Sequence, residues 1–257
     1  MAYIDSHAHL TGKEYQDDLK EIIADFKLNA ISRVLLICCD DQDYRYAISL
    51  QEEYGCFDIA KGVHPENADE DRSVDLINLD KQLAAKKIAV VGEIGLDYYW
   101  TKATKDYQKA LFIAQIQLAD KYNLPIAVHS REASEDTYSI LKEHHQSKRG
   151  VMHCYSGSVE MMERYVALGY YISLAGPVTF ANAKVAKNVA IATPLDKLLY
   201  ETDCPYLTPV PYRGKRNNPN FVVYTARMIA ELRGISVEEL NQAVKINYAT
   251  LLGSNNA

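Results

Sequence analysis

One repeating unit decides the fold: AVVGEI at residues 89–94, DYQKALFIAQIQLADKY at 106–122 and PIAVH at 125–129. The two outer segments are continuous apolar runs, as in parallel strands that helices cover on their outer face. The middle segment returns an apolar residue every three or four positions, which is the period of an amphipathic helix. The unit therefore predicts a strand, a helix and a second strand parallel to the first.

The same alternation recurs along the whole chain. Eight such units in 257 residues favour an α/β fold of the (β/α)8 TIM-barrel type, although the pattern alone also allows an open doubly wound sheet. Two helices, at 218–233 and 236–251, are predicted to close the chain, and Ser236 and Glu239 form a capping-box pattern in the second. The eight apolar runs are AYID (2–5), RVLLICC (33–39), DIAKGV (58–63), AVVGEI (89–94), PIAVH (125–129), GVMHC (150–154), YYISLA (170–175) and KLLYET (197–202).

The sequence shows no sign of a second domain or of a membrane segment. No linker or low-complexity stretch interrupts the repeats, so we expect residues 1–257 to form a single domain. The first ten residues hold an acid and two histidines where a signal peptide needs an apolar run, and no stretch approaches the length of a membrane span, about 18 apolar residues. The five cysteines are scattered, as in proteins that keep reduced thiols, so we expect a cytoplasmic location. We also expect that the protein binds no membrane and needs no protein partner.

Polar residues stand where the predicted strands end, which is where a parallel barrel places its active site. His7 and His9 follow the first apolar run, and because side chains alternate along a strand, both imidazoles point to the same side. Other runs carry histidines and carboxylates at equivalent positions. Their convergence predicts a metal centre at the mouth of the barrel. The metal ligands that we predict are His7, His9, Glu93, His129, His153 and Asp203.

The number of ligands favours two metal ions over one. A catalytic zinc usually has about three protein ligands and a water, so six ligands are too many for one ion and enough for two, with Glu93 or a water between them. Mixed nitrogen and oxygen ligands suit Zn²⁺, Mn²⁺ or Ni²⁺, and Mg²⁺ stays open because availability can override preference. Such an ion lowers the pKa of water from about 15.7 to about 7 and so supplies a nucleophile at neutral pH.

Three acids are candidates for catalysis. Glu93 is the candidate to bridge the ions, and Asp203, at the end of the final run, is the candidate to accept the proton of the water while it binds one ion. Glu201 stands two residues before Asp203 and shares its face of the strand. It either orients a histidine ligand or is an acid of the barrel interior that is paired with a base.

Seven motifs stand at strand ends and in the loops that follow them: IDSHAHL (4–10), GVHPE (62–66), GEIGLDYY (92–99), PIAVHSRE (125–132), HCYSG (153–157), ETDCPYL (201–207) and PYRGKRNNP (211–219). In order and spacing they resemble those of the TatD-type deoxyribonucleases, which are metal-dependent hydrolases of the amidohydrolase superfamily. The resemblance covers essentially the whole chain. It implies that the six ligands above hold the metal with Glu93 as the bridging carboxylate, and that the reaction is hydrolysis of phosphodiesters, commonly from the 3′ ends of single-stranded DNA.

Cations near the barrel mouth support a phosphate substrate. The net charge of −6 gives no global attraction for nucleic acid, so any binding must be local. Arg213, Lys215 and Arg216 follow the last run, and His64 and Arg131 could hold a phosphate oxygen or the leaving group. We therefore expect a 3′–5′ exodeoxyribonuclease acting on single-stranded DNA. The alternatives are a two-metal hydrolase of a non-phosphate ester or amide, such as an aminoacyl-tRNA ester, and a nucleic-acid-binding protein without turnover.

Overall fold

Parallel strands lie side by side in chain order in the computed structural model, which describes residues 2–68, 72–101, 103–144 and 147–253. Each strand pairs with the next one along the chain, whereas a doubly wound sheet reverses its strand order. The predicted TIM barrel is therefore confirmed, and the open sheet is excluded. The strands are β1 (Tyr3–Ala8), β2 (Ile31–Cys38), β3 (Phe57–Lys61), β4 (Val90–Asp97), β5 (Ile126–Arg131), β6 (Val151–Met152), β7 (Tyr171–Leu174) and β8 (Leu198–Tyr200).

The barrel closes between its first and last strands at their carboxyl ends. The amide of Asp203 donates to the carbonyl of His7 at 3.0 Å, and the amide of His9 donates to the carbonyl of Cys204 at 2.9 Å. Below these bonds, the buried carboxylate of Asp5 accepts the amide of Thr202 at 2.8 Å. The closure therefore fixes three of the predicted metal ligands against one another.

Helices cover the outside of the barrel and bury one face each against the strands. In the helix after β4, for example, Phe112 and Ile116 are buried while Lys121 is exposed. One large cluster of buried apolar side chains fills the space between strands and helices. The helices are α1 (Leu19–Ala24), α2 (Asp41–Tyr54), α3 (Ser73–Ala84), α4 (Lys105–Lys121), α5 (Ser134–Glu143), α6 (Val159–Ala167), α7 (Lys184–Ala192), α8 (Val222–Arg233) and α9 (Val237–Leu252).

The two last helices agree with the sequence prediction to within one residue, except at the start of α8. α8 begins at Val222 rather than at 218, because Pro219–Phe221 forms a 3₁₀ turn that the side chain of Asn218 caps. Ser236 accepts the amide of Glu239 at 3.0 Å, so the bond to the serine in the predicted capping box at the start of α9 is confirmed.

The described residues form a single domain. The predicted extent of this domain, 1–257, includes Met1 and residues 254–257, which lie outside the described residues. Among the helices of the described ranges, none has the length and apolar character needed to cross a membrane.

Candidate metal centre

Glu93 lies at the mouth of the barrel, with two histidines near one of its carboxylate oxygens and three near the other. Its Oε2 lies 3.3 Å from Nε2 of His7 and 3.6 Å from Nε2 of His9. Its Oε1 lies 2.8 Å from Nδ1 of His129 and 2.7 Å from Nε2 of His153. Each oxygen therefore faces a separate set of donors, which is the arrangement in which one carboxylate can bridge two ions.

The donor atoms are crowded in a way that fits divalent cations. The Nε2 atoms of His7 and His9 lie 3.3 Å apart, and Oδ1 of Asp203 lies 3.9 Å and 3.7 Å from them. Nδ1 of His7 is buried and has no hydrogen-bond partner among the described residues. Three groups have ligand atoms within 4.8 Å of one another: His7 with His153 and Asp203, His7 with His9 and Glu93, and His64 with Glu93 and His129.

His9 and His129, which lie at different oxygens of Glu93, differ in their state of protonation in the metal-free protein. Burial, together with His7, lowers the pKa of His9 to about 3, so its ring is neutral at pH 7 and ready to bind a cation. Burial alone would also lower the pKa of His129, but the hydrogen bonds to Asp97 and Glu93 raise it to about 9. A metal ion that binds His129 must therefore displace a proton, whereas one that binds His9 need not.

Asp97, at the end of β4, fixes the orientation of His129. Its Oδ2 accepts Nε2–H of His129 at 2.9 Å, which leaves Nδ1 directed at Glu93. Its Oδ1 accepts the amides of Tyr99 and Trp100 at 2.8 Å and 2.7 Å. The carboxylate is fully buried and saturated with donors, so it selects the ring nitrogen of His129 that faces the metal centre.

The Asp97→Asn variant is expected to weaken metal binding on the His129 side by about 10- to 100-fold. The backbone amides hold the side-chain oxygen, so the new amide nitrogen faces Nε2 of His129 and favours the ring tautomer with its proton on Nδ1. Titration of the metal-free protein with Zn²⁺, followed by calorimetry, measures the change. The exposed Asp25→Asn variant is the control, and equal affinity of both variants would contradict the role of Asp97.

Glu201 makes the corresponding contact with His153. Its Oε1 lies 3.1 Å from Nδ1 of His153 and accepts the amide of Cys154 at 2.8 Å. Its side chain is fully buried. This contact is the one expected of an acid that orients a histidine, and it directs Nε2 of His153 towards Glu93.

His64 stands beside Glu93, where the sequence analysis expected a contact with substrate. Its Nδ1 accepts the amide of Glu66 at 3.2 Å, so Nε2 carries the proton and donates to Oε1 of Glu93, also at 3.2 Å. In this tautomer His64 supports the bridging carboxylate, and its predicted role in binding substrate stays a prediction.

A cavity of about 1280 Å³ opens above the metal centre. Arg131 lines it and lies over the rings of Tyr99 and Trp100, with its guanidinium carbon 4.6 Å and 5.4 Å from their centroids. Lys184, at the start of α7, also lines it. The lining of the cavity therefore includes cationic groups as well as the predicted metal ligands.

The structure does not bring all the predicted substrate residues to this cavity. Arg213 lines a smaller neighbouring cavity, and Lys215 lies over the ring of Tyr212, 5.4 Å from its centroid. Arg216 differs most from the expectation, because its guanidinium contacts the carbonyl of Glu14 and the carboxylate of Asp18. Asp18 is distant from Arg216 in sequence, so the residues around Arg216 do not indicate that its charge is already paired.

Sequence reasoning assigned no role to two residues of the site. For Asp97 the sequence left a structural role and a contact with substrate open, although it stands four residues after Glu93 on the same strand and so shares its face. Lys184 begins a helix and follows no apolar run directly, so its position in the sequence carries no such signal.

Comparison with known proteins gives consistent matches over the whole chain. The model of the family described as TatD related DNase matches residues 4–253. An uncharacterized metal-dependent hydrolase, YabD of Bacillus subtilis, is 42% identical over 98% of this chain and 99% of its own length. The crystal structure of YjjV, a TatD homologue from Escherichia coli, superimposes with a TM-score of 0.90 at 30% identity and covers 97% of both chains. An uncharacterized amidohydrolase from Saccharomyces cerevisiae, 16% identical with a TM-score of 0.82, shares the fold over 98% of this chain and 99% of its own.

Proposed function

The chain belongs to the TatD-related DNase family of metal-dependent hydrolases, and from that premise we propose that it cleaves phosphodiester bonds of single-stranded DNA as a two-metal 3′–5′ exonuclease. The observation that carries the proposal is the position of Glu93. One carboxylate faces His7 and His9 with one oxygen and His129 and His153 with the other. Two ions held on these two sides would lower the pKa of water and stabilise charge on the phosphoryl group in an in-line displacement.

Asp203 is the carboxylate of the site that is best placed to take a proton from water. Its side chain is 14% exposed, compared with 4% for Glu93 and 0% for Glu201. It lines the cavity and lies within 4 Å of the metal-facing nitrogens of His7 and His9. We assign to it the role of general base and to Glu201 the role of orienting His153.

Arg131 supports a phosphate substrate rather than a neutral ester. Its guanidinium is held over Tyr99 and Trp100 at the wall of the cavity, and no carboxylate of the described residues lies within 4.0 Å of it. A planar cation in this position can bind two oxygens of one phosphate, whereas a neutral ester gains nothing from it.

The test uses protein stripped of metal and then supplied with Mg²⁺, Mn²⁺, Zn²⁺ or Ni²⁺. The substrates are single-stranded DNA labelled at its 5′ end, an aminoacyl-tRNA and a neutral carboxylic ester. We expect a ladder of products that shortens from the 3′ end, only when metal is present. Cleavage of the esters without cleavage of DNA, or equal cleavage with and without metal, would overturn the proposal.

We also propose a cytoplasmic location. All five cysteines are free thiols, and three of them, Cys39, Cys56 and Cys154, are partly exposed. Such thiols persist in a reducing compartment.

A further inference from the structure

Acidic residues are absent from two long stretches of this acidic protein. No Asp or Glu occurs at 164–195 or at 204–230, so all 34 acidic residues lie outside these two stretches. The stretches contain seven of the 28 basic residues, and the other 21 lie outside. The first stretch contains β7 and α7, and the second contains the loop after β8 and most of α8. The seven cations of the two stretches are Arg164, Lys184, Lys187, Arg213, Lys215, Arg216 and Arg227.

The two stretches form one wall beside the metal centre. The amide of Val210 donates to the hydroxyl of Thr179 at 2.9 Å, and the guanidinium of Arg213 lies 4.2 Å from the ring centroid of Phe180. The backbones approach so closely at Gly176 that an added Cβ would lie 1.9 Å from the carbonyl oxygen of Leu207. The loops after β7 and β8 therefore hold their cations in one place.

Several of these cations have no acidic partner. Arg164 pairs with Glu135 and Arg216 pairs with Asp18. By contrast, Lys184, Lys187 and Arg213 form no ion pair with any residue in the described part of the chain. We call these three residues the basic wall. Their charge is free to attract an anion.

The basic wall continues from the metal centre. Lys184 lines the large cavity, and Asn182 lines both this cavity and a smaller one of about 290 Å³. Arg213 lines the smaller cavity, and the ammonium of Lys187 lies 3.3 Å from the carbonyl of Ala181, which lines it too. A continuous surface therefore leads from the ligands to cations that stand outside the catalytic cavity.

The part of the large cavity that the segments after β2 and β3 line is acidic. Asp43 and Glu66 lie there, whereas Glu14 lies beside Arg216 of the loop after β8. A polyanion approaching the metal centre is repelled on that side and attracted on the other.

We propose that the basic wall binds the phosphates of a single-stranded polynucleotide next to the bond that is cleaved, and so makes a strand a better substrate than a single phosphodiester. This inference rests on the proposed function, since it assigns a path to the substrate of the same site. The inference assigns two roles. Arg131 and the metal ligands bind the scissile phosphate, and the basic wall binds the adjacent phosphates of the strand.

The test compares two triple variants with the same loss of charge. One carries Lys184→Gln, Lys187→Gln and Arg213→Gln. The control carries Lys20→Gln, Lys27→Gln and Arg45→Gln, at exposed positions of α1, of the turn that follows it and of α2. KM is measured between 50 and 200 mM salt for a single-stranded 12-mer and for thymidine 5′-(p-nitrophenyl phosphate). Three phosphate contacts change the slope of log KM against log salt by about 2, because each contributes about 0.7 on a single strand.

We expect the control variant to keep the slope of the native protein for the 12-mer and the basic-wall variant to lose about 2 from it. Neither variant should change KM for the small substrate by more than about twofold, since that substrate has no neighbouring phosphates. Equal slopes for both variants would overturn the inference and leave the proposed function intact.

A measurement of binding keeps the two proposals separable if no cleavage is seen. A fluorescein-labelled 12-mer with phosphorothioate linkages is titrated with metal-loaded protein, and anisotropy reports its affinity. At 50 mM salt we expect the basic-wall variant to bind it more than about tenfold more weakly than the control variant. Equal binding, or competition by poly-glutamate as effective as by unlabelled DNA, would overturn the inference.

Discussion

The Glu93→Gln variant is expected to lose bound metal and to lower kcat by about 1000-fold or more. Metal ions supply several kcal/mol of transition-state stabilisation, and about 1.4 kcal/mol corresponds to each tenfold change in rate. The native carboxylate presents one anionic oxygen to His7 and His9 and the other to His129 and His153. In the amide, one of these oxygens becomes a nitrogen that cannot bind a cation, and the charge shared by the two sides is gone. Metal content by mass spectrometry and kcat on labelled DNA measure the result.

Glu132→Gln is the matched control for this variant. Glu132 also lines the cavity, but it is exposed and makes no contact with the histidines of the centre. We expect it to keep its metal and its activity within about twofold, as is usual for exposed positions. A Glu93→Gln protein that retains two ions per chain and a normal kcat would show that Glu93 does not bridge them. Circular dichroism of both variants separates loss of metal from loss of fold.

The Asp203→Asn variant is expected to lower kcat by about 100- to 10,000-fold while most of the metal stays bound. The acid lies at the edge of the ligand set, 3.9 Å from His7 and 3.7 Å from His9, and its side chain faces the cavity. An amide in its place can still offer an oxygen to a cation, but it cannot take a proton from water. The loss should therefore persist when metal is added in excess.

Asp43→Asn is the control, since Asp43 is a second aspartate of the cavity lining and stands apart from the ligand cluster. Recovery of activity in proportion to added metal would show that Asp203 acts only as a ligand. Activity within tenfold of the native protein, with metal bound, would exclude Asp203 as the general base.

The barrel could be predicted because its evidence is local. Each strand is a short apolar run with its own flanking helical pattern, so eight independent segments point to the same repeat, and the structure confirms all eight. The residues at which helices begin and end could be predicted less closely from the sequence. The start of α8 depended on how Asn218 and Pro219 form a 3₁₀ turn, a choice of backbone geometry that a hydrophobic period does not report.

The candidate site could be predicted as a set of residues but not as a geometry. Position at a strand end identified the histidines and acids, because polar groups there are unfavourable for packing. The sequence could not tell that the two oxygens of Glu93 face different histidines, or which nitrogen of His129 faces the metal centre. These depend on side-chain rotamers and on hydrogen bonds such as the one from His129 to Asp97.

The roles of the cationic residues near the barrel mouth could also not be predicted from their positions in the sequence. Arg216 was expected to approach phosphate, yet it pairs with Asp18, and the two residues are 198 positions apart. Lys184 was overlooked although it lines the cavity. Charge on a loop predicts its function only when the partner of each cation is known, and that partner is set by the tertiary fold.

The seam between β1 and β8 has a consequence for biosynthesis. Asp5 and Thr202, which are hydrogen bonded there, stand 197 positions apart, and the ligands His7, His9 and Asp203 flank the same seam. The ribosome makes the two histidines well before the complementary acid, because 193 residues lie between His9 and Asp203. A nascent or truncated chain that stops before Asp203 thus lacks a complete centre, so the ligand set can assemble only after β8 and the residues that follow it have been made.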